Sequence, residues 1–524
     1  MAVATEHSDA TQAALSTMME GGNAVDAAIS AALVLGVVNP QASGLGGGGF
    51  ALVYTAKDKK TTCLDFRETA PNDIDAAAIA TKPKSFNEPR AVSIGVPGEP
   101  MGLATLATRF GRHALADDAR AAISLAANGF YVGKHQSEIF SRMGARIAAS
   151  PELSAWALVN GAPLAYAARV TRPDLAATLT RFAQEGARPF YEGDIADAMV
   201  RAAREKGGRL DKADLVAYRI KERTPLTRTV DNRTIVTMPA PSAGGLMLQE
   251  TLALYGASPT SDLKKLGYGS SAYFHMVAEA MRGAVADRAR AASDPGLEPQ
   301  TNAAFDAFLA PAQIAARKAK IDPNKTRPAP EFHTREQGTT HISIVDSEGN
   351  VVALTTTINA PFGAVVVAGN TGIILNDELD DFSSPKDIEG FHVVGLGSNR
   401  PRPLARPVSS MTPTIVFENG APILVLGGSG GPRIATSVTQ VALCRLVFGL
   451  DANACVSSPR IHVGTTPQIS VDAEVPEDVR AGLTARGEQV KEETGMNAVQ
   501  VVAWQGGKLY AASDPRKSGF AAAR

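Results

Sequence analysis

The segment around Thr339 constrains the fold of this chain more than any other. Residues 339–346 alternate apolar and polar side chains, which is the pattern of a β-strand. A polar turn and a second apolar run at 351–357 follow it, so the sequence predicts a β-hairpin. The polar, proline-containing residues 301–336 before it predict an exposed linker. A threonine that starts a strand directly after a linker is the layout that a self-cleaving precursor needs.

The hydroxyl of Thr339 needs a base before it can attack an amide at neutral pH. Cleavage of the Gly338–Thr339 bond would supply one, because it gives Thr339 a free α-amine beside its own hydroxyl. Nucleophile and general base would then lie on one residue. A pair of threonines is common, however, and an ordinary β-rich edge strand is the simple alternative for this segment alone. The hypothesis therefore depends on the rest of the chain.

The composition is that of a globular protein with a large core. Of 524 residues, 44% are hydrophobic and 20% are charged, which are ordinary values. With 52 basic and 53 acidic residues the net charge is −1, so no overall field favours nucleic acid. We predict neither a nucleic-acid partner nor a membrane span, since no apolar run reaches the roughly 18 residues that cross a bilayer. The first residues lack the basic and apolar regions of a signal peptide, which leaves a cytoplasmic location open.

Cysteine and histidine spacing predicts no metal site. Cys63, Cys444 and Cys455 are odd in number and scattered, so they predict neither a metal site nor a disulfide framework. Cys63 lies in an apolar run, which favours a buried structural thiol. His333 and His341 have no third ligand at a suitable spacing. We expect no metal and no cofactor.

A glycine run near the N-terminus matches the G-x-G-x-x-G pattern of dinucleotide-binding loops at Gly44, Gly46 and Gly49. That fingerprint must follow a strand and open a helix. Here it follows a predicted helix and opens a predicted strand at 50–54. Close backbone packing in a turn is therefore the better interpretation than nucleotide binding.

A second glycine run, at 427–433, follows a predicted strand and opens a predicted helix at 434–448. It lacks the Gly-Lys-Ser/Thr ending of a phosphate-binding P-loop. The backbone N–H groups of Gly430 and Gly431, next to a helix N-terminus, suit a developing oxyanion. A purely structural turn is the alternative.

Charged and hydroxyl side chains suggest a site for an amino acid headgroup. Four acidic residues crowd into 376–382, as a solvated turn, a calcium loop or a pocket for an ammonium group would require. No EF-hand spacing is present. Arg67 closes a predicted strand and suits either an ordinary ion pair or a clamp on a carboxylate. Ser409 and Ser410 offer hydroxyl donors to the same anion, unless they are surface serines.

Together these segments supply a nucleophile, an oxyanion donor, a carboxylate clamp and an ammonium pocket. Over nearly its whole length the chain resembles the γ-glutamyltranspeptidase family of N-terminal-nucleophile hydrolases. The resemblance lies in residues 21–28, 39–42, 46–50, 65–71, 241–245, 339–346, 380–383, 406–414, 430–431 and 512–516.

The resemblance implies an α+β fold, the four-layer αββα sandwich of N-terminal-nucleophile hydrolases. One globular unit would be cut into a large fragment, 1–338, and a small fragment, 339–524, that associate as a heterodimer. The implied reaction cleaves the γ-glutamyl amide of glutathione and related donors through a γ-glutamyl ester and transfers the acyl group to water or an amine. Members of the family are commonly exported, which implies a periplasmic or extracellular location.

The resemblance also implies a role for each site residue. Thr339 would be the nucleophile, with Thr357 supporting it and Gly430 and Gly431 holding the oxyanion. The implied substrate contacts are Arg67, Ser409 and Ser410 for the α-carboxylate and Asn359, Glu378 and Asp381 for the α-ammonium.

Besides the lack of signal-peptide features in its first residues, the sequence departs from the family in two places. Glu378 stands where some members have glutamine, and either residue can accept from an ammonium group. Residues 384–405, which correspond to a lid in some members, contain no tyrosine, so the balance of hydrolysis and transfer is not inherited.

Two rival functions stay open. One is another amidase on the same scaffold, similar to cephalosporin acylase or oxamate amidohydrolase. Its acyl group would lack the ammonium, and the presence of Arg67, Glu378 and Asp381 argues against it. The other is a binding protein that never matures. Retention of the Thr339 nucleophile argues against that alternative.

Overall fold

Helices and strands alternate throughout the computed structural model, which describes residues 1–81, 85–327, 338–383, 399–463, 468–493 and 497–524. The α-helices are α1 (Ser8–Met19), α2 (Ala24–Val38), α3 (Ala76–Ala80), α4 (Glu99–Phe110), α5 (Leu115–Asn128), α6 (Lys134–Arg142), α7 (Gly144–Ala148), α8 (Pro151–Ala157), α9 (Pro173–Glu185), α10 (Arg188–Tyr191), α11 (Asp194–Glu205), α12 (Lys212–Ala217), α13 (Gly244–Tyr255), α14 (Ser271–Ala291), α15 (Gln300–Phe308), α16 (Pro311–Lys318), α17 (Arg433–Leu443), α18 (Ala452–Ser457) and α19 (Glu477–Ala485). Short 3₁₀ segments are Ala91–Ser93, Asp262–Leu266, Gly369–Thr371 and Glu378–Asp381, and a π-helical segment is Cys444–Phe448.

The strands form two large antiparallel sheets and three small ones. They are β1 (Ala2–Thr5), β2 (Gly48–Thr55), β3 (Lys60–Phe66), β4 (Phe130–Tyr131), β5 (Leu158–Val159), β6 (Ala162–Pro163), β7 (Arg169–Val170), β8 (Lys221–Arg223), β9 (Leu226–Val230), β10 (Arg233–Thr237), β11 (Gly338–Val345), β12 (Val351–Asn359), β13 (Thr414–Glu418), β14 (Ala421–Ser429), β15 (Ile461–Val463), β16 (Gln468–Asp472), β17 (Gln489–Glu493), β18 (Ala498–Gln505), β19 (Lys508–Ser513) and β20 (Phe520–Ala523). The first large sheet has the order β20-β1-β11-β12-β2-β3-β8, and the second has the order β19-β18-β14-β13-β10-β9.

The predicted hairpin is confirmed as β11 and β12 at the centre of the first sheet. Ile342 and Ile344 of β11 pack into one hydrophobic core together with α2. His341 and Ser343, on the opposite face, point at the second sheet, where the His341 ring fills the space that a Cβ at Gly427 would need. Both faces of the strand are therefore buried, which an edge strand would not allow.

Helices cover the outer faces of both sheets. One core joins α1, α2, α4, α5 and α9 to the first sheet, and the other joins both sheets to α13, α14 and α17. Helix α2 starts at a capping box of Asn23 and Asp26, which satisfies its first free N–H groups. It is apolar on all sides, as a buried helix should be. The predicted αββα sandwich is confirmed.

The first sheet mixes strands from both sides of the Gly338–Thr339 bond. Strand β1 lies between β11 and β20, and β2 pairs with β12. The second sheet is mixed as well, because β10 pairs with β13. Residues 1–338 and 339–524 therefore both contribute strands to each of the two large sheets.

The prediction of an exposed linker is wrong for its first half. Residues from 300 onward form α15 and α16, which bury Phe305 and Ile314 against neighbouring helices. Helix α16 is also held by the buried Arg317, which pairs with Glu250 at 2.8 Å and with Asp287. The second half of the predicted linker, including His333, reaches beyond the described residues.

The prediction about the cysteines is half right. Cys63 is a fully buried free thiol, as expected. Cys444 and Cys455, however, form a disulfide that joins the π-helical segment to α18. The pairing escaped prediction because it depends on a helical turn that brings the two residues together, and the linear spacing does not encode that contact.

The described residues contain neither a membrane-spanning helix nor a metal-binding cluster. None of the helices in them is long and apolar enough to cross a bilayer. Nor do those residues group three or more histidine, cysteine or acidic side chains around a common point that suits a metal ion.

Candidate active site

The Gly338–Thr339 bond lies at an irregularity in the first sheet. Regular antiparallel pairing runs along the hairpin as far as Thr340, opposite Thr356, and then shifts by one residue so that Gly338 pairs with Asn359. Such a β-bulge interrupts the hydrogen-bond ladder and re-aims nearby side chains. The predicted cleavage point therefore lies within the bulge, between Gly338 and Thr340.

Two threonine hydroxyls converge on the carbonyl of Gly338. The Oγ1 atoms of Thr339 and Thr357 each lie 2.5 Å from that carbonyl oxygen, and they lie 3.4 Å from each other. The backbone N–H of Asn359 donates to Thr357 Oγ1 at 2.8 Å. Both threonine side chains are buried. The structure thus brings together the predicted nucleophile and its predicted supporting residue.

The second glycine run forms a turn between β14 and α17. Gly430 and Gly431 have φ values of +119° and +63°, a conformation that glycine adopts without strain. Helix α17 starts two residues later, so free N–H groups cluster at this point. Strand β14 packs against β11 through the contact between Gly427 and His341, so the turn follows directly on a strand that contacts β11.

Arg67 forms a buried centre of charge. Its guanidinium pairs with Glu378 and, at 2.6 Å, with Asp381. It also donates to the carbonyl oxygens of Pro407 at 3.2 Å and Val408 at 3.1 Å. The side chain is only 1% exposed. The predicted carboxylate clamp and two members of the predicted ammonium pocket therefore lie together, one positive group against two negative ones.

The acidic segment is a buried turn whose charges are matched by arginines, so the alternative of a solvated turn is wrong. Asp380 pairs with Arg90 at 2.6 Å, and Asp377 lies 3.5 Å from Arg146. Burial raises the pKa of Asp377 to about 6, although Arg146 opposes the change. Sequence reasoning missed both arginines, because the partners of each pair lie more than 200 residues apart.

Asn359 connects the nucleophile to the acidic turn. Its side-chain N–H donates to the carbonyl of Asp377 at 3.1 Å. Its backbone φ is +70°, a left-handed conformation that is uncommon outside glycine. The side-chain oxygen is buried and meets no hydrogen-bond donor among the described residues. An acceptor in that state suits a ligand that brings its own N–H groups.

Ser409 and Ser410 follow the carbonyls that hold Arg67, and both are buried, so they are not surface serines. Ser409 Oγ accepts from the backbone N–H of Met411 at 3.1 Å, and Ser410 Oγ accepts from Arg288. Because each hydroxyl accepts from the protein, each keeps its own proton for an anion. Sequence reasoning missed Arg288, which lies in helix α14.

Comparison with known proteins identifies the family. The family model of gamma-glutamyltranspeptidase matches residues 10–524. The chain belongs to this family. It is 35% identical to the glutathione hydrolase proenzyme of Escherichia coli (strain K12), over 98% of this chain and 90% of that protein. It is 34% identical to glutathione hydrolase 2 of Arabidopsis thaliana, over 99% of this chain and 93% of that protein.

Solved structures give the same assignment of the fold. The chain superposes on the crystal structure of cephalosporin acylase from Bacillus halodurans with a TM-score of 0.88 and 25% identity, covering 100% of this chain and 95% of that one. It superposes on Helicobacter pylori gamma-glutamyltranspeptidase with a TM-score of 0.56 and 30% identity, covering 62% of this chain and 92% of that one.

Burial shifts the pKa of three further groups near the site of this γ-glutamyltranspeptidase family member towards the neutral form. It raises the pKa of Glu68 and of Glu99 to about 8, and for Glu68 the nearby Arg67 opposes the rise. Burial lowers the pKa of His341 to about 3, so its ring is uncharged between the two sheets. The ring bonds to Thr355 and Ser343, so both of its nitrogens are engaged with protein hydroxyls.

Proposed function

We propose that this chain is a γ-glutamyl hydrolase and transpeptidase that cuts its own Gly338–Thr339 bond and then uses Thr339 as an N-terminal nucleophile. The observation that carries the proposal is the convergence of the Thr339 and Thr357 hydroxyls on the Gly338 carbonyl oxygen, at 2.5 Å each. Membership of the family supports the same activity.

Maturation proceeds by attack of Thr339 Oγ1 on the carbonyl carbon of Gly338. Thr357 donates a hydrogen bond to the carbonyl oxygen while negative charge develops on it. The C–N bond then breaks, and the acyl group of Gly338 is left as an ester on Thr339, whose nitrogen takes up the proton as an α-amine. Water hydrolyses the ester and releases the Gly338 carboxylate. The fragments 1–338 and 339–524 stay together as a heterodimer because they share both sheets.

In the mature enzyme the free amine of Thr339 takes the proton of the Thr339 hydroxyl as the hydroxyl attacks the γ-amide carbon of the donor. The N–H groups of Gly430 and Gly431 stabilise the oxyanion, a contribution of about 3–4 kcal/mol per donor in comparable enzymes. The amine leaves with the proton, and a γ-glutamyl ester forms on Thr339. Water or a second amine then attacks this ester and regenerates the enzyme.

The charge cluster around Arg67 suits a zwitterionic headgroup. A γ-glutamyl donor brings one carboxylate and one ammonium, so it can enter between Arg67 and the acids Glu378 and Asp381 without changing the net charge. Its carboxylate would bind Arg67, Ser409 and Ser410. Its ammonium would bind the two acids and the side-chain oxygen of Asn359. An acyl group without the ammonium would bring its carboxylate next to Glu378 and Asp381 with no positive charge of its own to offset the added negative charge, which is costly in a buried site.

The donor is glutathione or a related γ-glutamyl compound. Support comes from relatives at 35% and 34% identity that carry the name glutathione hydrolase. An acylase that acts on a different side chain is the second candidate, because the superposition on a cephalosporin acylase covers the whole chain. The arrangement of Arg67, Glu378 and Asp381 favours the γ-glutamyl donor.

Maturation is tested first on purified protein. We expect the wild-type chain to split into two bands on a denaturing gel, with the smaller fragment starting at Thr339 by N-terminal sequencing. The variant Thr339→Ala should stay intact, because it lacks the attacking hydroxyl. A wild-type chain that remains unsplit after long incubation would contradict the proposed function.

The donor is tested on the matured protein with γ-glutamyl-p-nitroanilide. We expect release of p-nitroaniline that increases when glycylglycine is added as acceptor. Release without any effect of glycylglycine would indicate a hydrolase alone. A matured protein that releases no p-nitroaniline but cleaves a glutaryl amide, which lacks the ammonium, would favour the acylase.

A further inference from the structure

A buried lysine and glutamate lie at the end of β14, outside the proposed mechanism. Lys517 Nζ donates to Ser429 Oγ at 2.5 Å and to Glu6 Oε2 at 3.1 Å. The Glu6 side chain is fully buried, and that of Lys517 is 12% exposed. A charged pair in such a place is costly unless its geometry is well satisfied. The burial of the Lys517–Glu6 pair therefore requires an explanation.

The pair connects the two sheets at the level of the proposed catalytic groups. Glu6 directly follows β1, which pairs with the nucleophile strand β11. Ser429 ends β14 and directly precedes Gly430. Burial raises the pKa of Glu6, and Lys517, the Ser429 hydroxyl and the backbone N–H of His341 oppose this change. Glu6 thus lies between His341 of β11 and Ser429 of β14.

The turn itself has no side chain with which to hold its position. Gly430 and Gly431 are consecutive residues with positive φ, and glycine has the largest conformational freedom of all residues. Oxyanion donors must nevertheless lie about 2.7–3.1 Å from the reacting oxygen. A fixed turn therefore needs an anchor at a neighbouring residue, and the hydroxyl of Ser429 is held by Lys517.

We propose that Lys517 is a positioning residue for the oxyanion turn. Paired with Glu6 on the nucleophile sheet, it holds Ser429 and thereby fixes the N–H groups of Gly430 and Gly431 relative to Thr339. The inference rests on the proposed function, because it assigns the oxyanion to this turn. Lys517 does not touch the substrate, so it acts only through Ser429.

The test uses the matured heterodimer of four variants. Ser429→Ala removes the anchored hydroxyl with a minimal change of shape, and Lys517→Met removes the anchoring charge. Lys517→Arg is the conservative variant, and Lys508→Met at an exposed end of β19 is the matched control. We would measure kcat and KM for γ-glutamyl-p-nitroanilide, the affinity for free glutamate, and the affinity for a boronic acid analogue of glutamate whose tetrahedral adduct imitates the oxyanion.

We expect kcat to fall about tenfold in Ser429→Ala and about a hundredfold in Lys517→Met, because misplacement by about 1 Å can cost that much. The boronate affinity should fall by the same factors. KM and glutamate affinity should stay within about twofold of wild type. Lys517→Arg should recover most of kcat, and Lys508→Met should match wild type.

Two results would overturn the inference alone. The first is wild-type kcat and boronate affinity in Ser429→Ala, a variant that keeps the Lys517–Glu6 pair and should fold. The second is an equal loss of glutamate and boronate affinity in these variants, which would indicate general damage to the site. A wild-type enzyme that cleaves no γ-glutamyl amide would contradict the proposed function and this inference together.

Discussion

At the scale of single residues, the contacts of Thr357 explain how a peptide carbonyl can be prepared for attack. Its hydroxyl accepts from the N–H of Asn359 at 2.8 Å and lies 2.5 Å from the carbonyl oxygen of Gly338. A hydroxyl has a single proton, so accepting from Asn359 leaves that proton for the carbonyl. The same oxygen becomes negative when Thr339 attacks. Under the proposed maturation, Thr357 would therefore be the oxyanion donor of self-cleavage.

The variant Thr357→Val should mature about a hundredfold to a thousandfold more slowly than wild type, because it keeps the shape of the side chain and loses the donor. The rate is measured as the conversion of one gel band into two. Thr356→Val is the matched control on the same strand, since Thr356 Oγ1 has no hydrogen-bond partner among the described residues. Equal rates in the two variants would refute the role of Thr357.

At the scale of elements, local sequence patterns predicted individual helices and strands well. Contacts between residues far apart in the sequence could not be predicted in this way. The structure contains the predicted hairpin as β11 and β12 and starts helix α17 at Arg433, one residue from the predicted start at 434, because alternating apolar side chains and a preceding glycine run mark these elements. Helix α16 was missed because one apolar side chain, Ile314, decides its packing within a basic sequence. In the site, antiparallel pairing of a hairpin was enough to place Thr339 near Thr357. The pairing of Arg67 with Glu378 spans 311 residues, and only the assembled fold determines it.

The disulfide between Cys444 and Cys455 should stabilise the C-terminal end of α17. It closes a loop with a sequence separation of 11, and loops of about this size stabilise proteins by about 2–4 kcal/mol. The double variant Cys444→Ser/Cys455→Ser should lose a comparable free energy of unfolding, measured by urea titration. A reductant should lower the stability of wild type and leave that of the variant unchanged. An equal effect of the reductant on both would contradict a stabilising disulfide.

At the scale of the whole molecule, a buried charge network joins the two proposed fragments. Glu488 of the small fragment bonds to His275 at 2.9 Å and pairs with Arg282. His275 also bonds to the carbonyl of Asp322 at 2.9 Å. Burial lowers the pKa of His275, but these hydrogen bonds outweigh it and raise the pKa above its ordinary value. Burial raises the pKa of Glu488, but the hydrogen bonds from His275 and Arg282 outweigh burial, so the pKa of Glu488 lies below its ordinary value.

The network should make association of the fragments depend on pH. The contribution of His275 is complete below its ordinary pKa and is lost as pH rises through its raised value in the folded protein. That of Glu488 is complete above its ordinary pKa and is lost in acid. The urea midpoint for separation of the matured fragments should therefore be higher at pH 6 than at pH 9. His275→Gln should lower the midpoint at pH 6 and reduce the difference, and an unchanged difference would exclude His275 as its source.

The position of β11 between β1 and β12 would make self-cleavage of the chain depend on correct folding. The Gly338 carbonyl meets the Thr357 hydroxyl only after β11 and β12 have paired, and β1 pairs with the other end of β11, at residues 343–345. Under the proposed maturation, a misfolded chain stays in one piece and a correctly folded chain becomes two. The ratio of the fragment bands to the intact band on a denaturing gel would then give the fraction of native molecules in any preparation. This measurement needs no substrate and no knowledge of the natural donor.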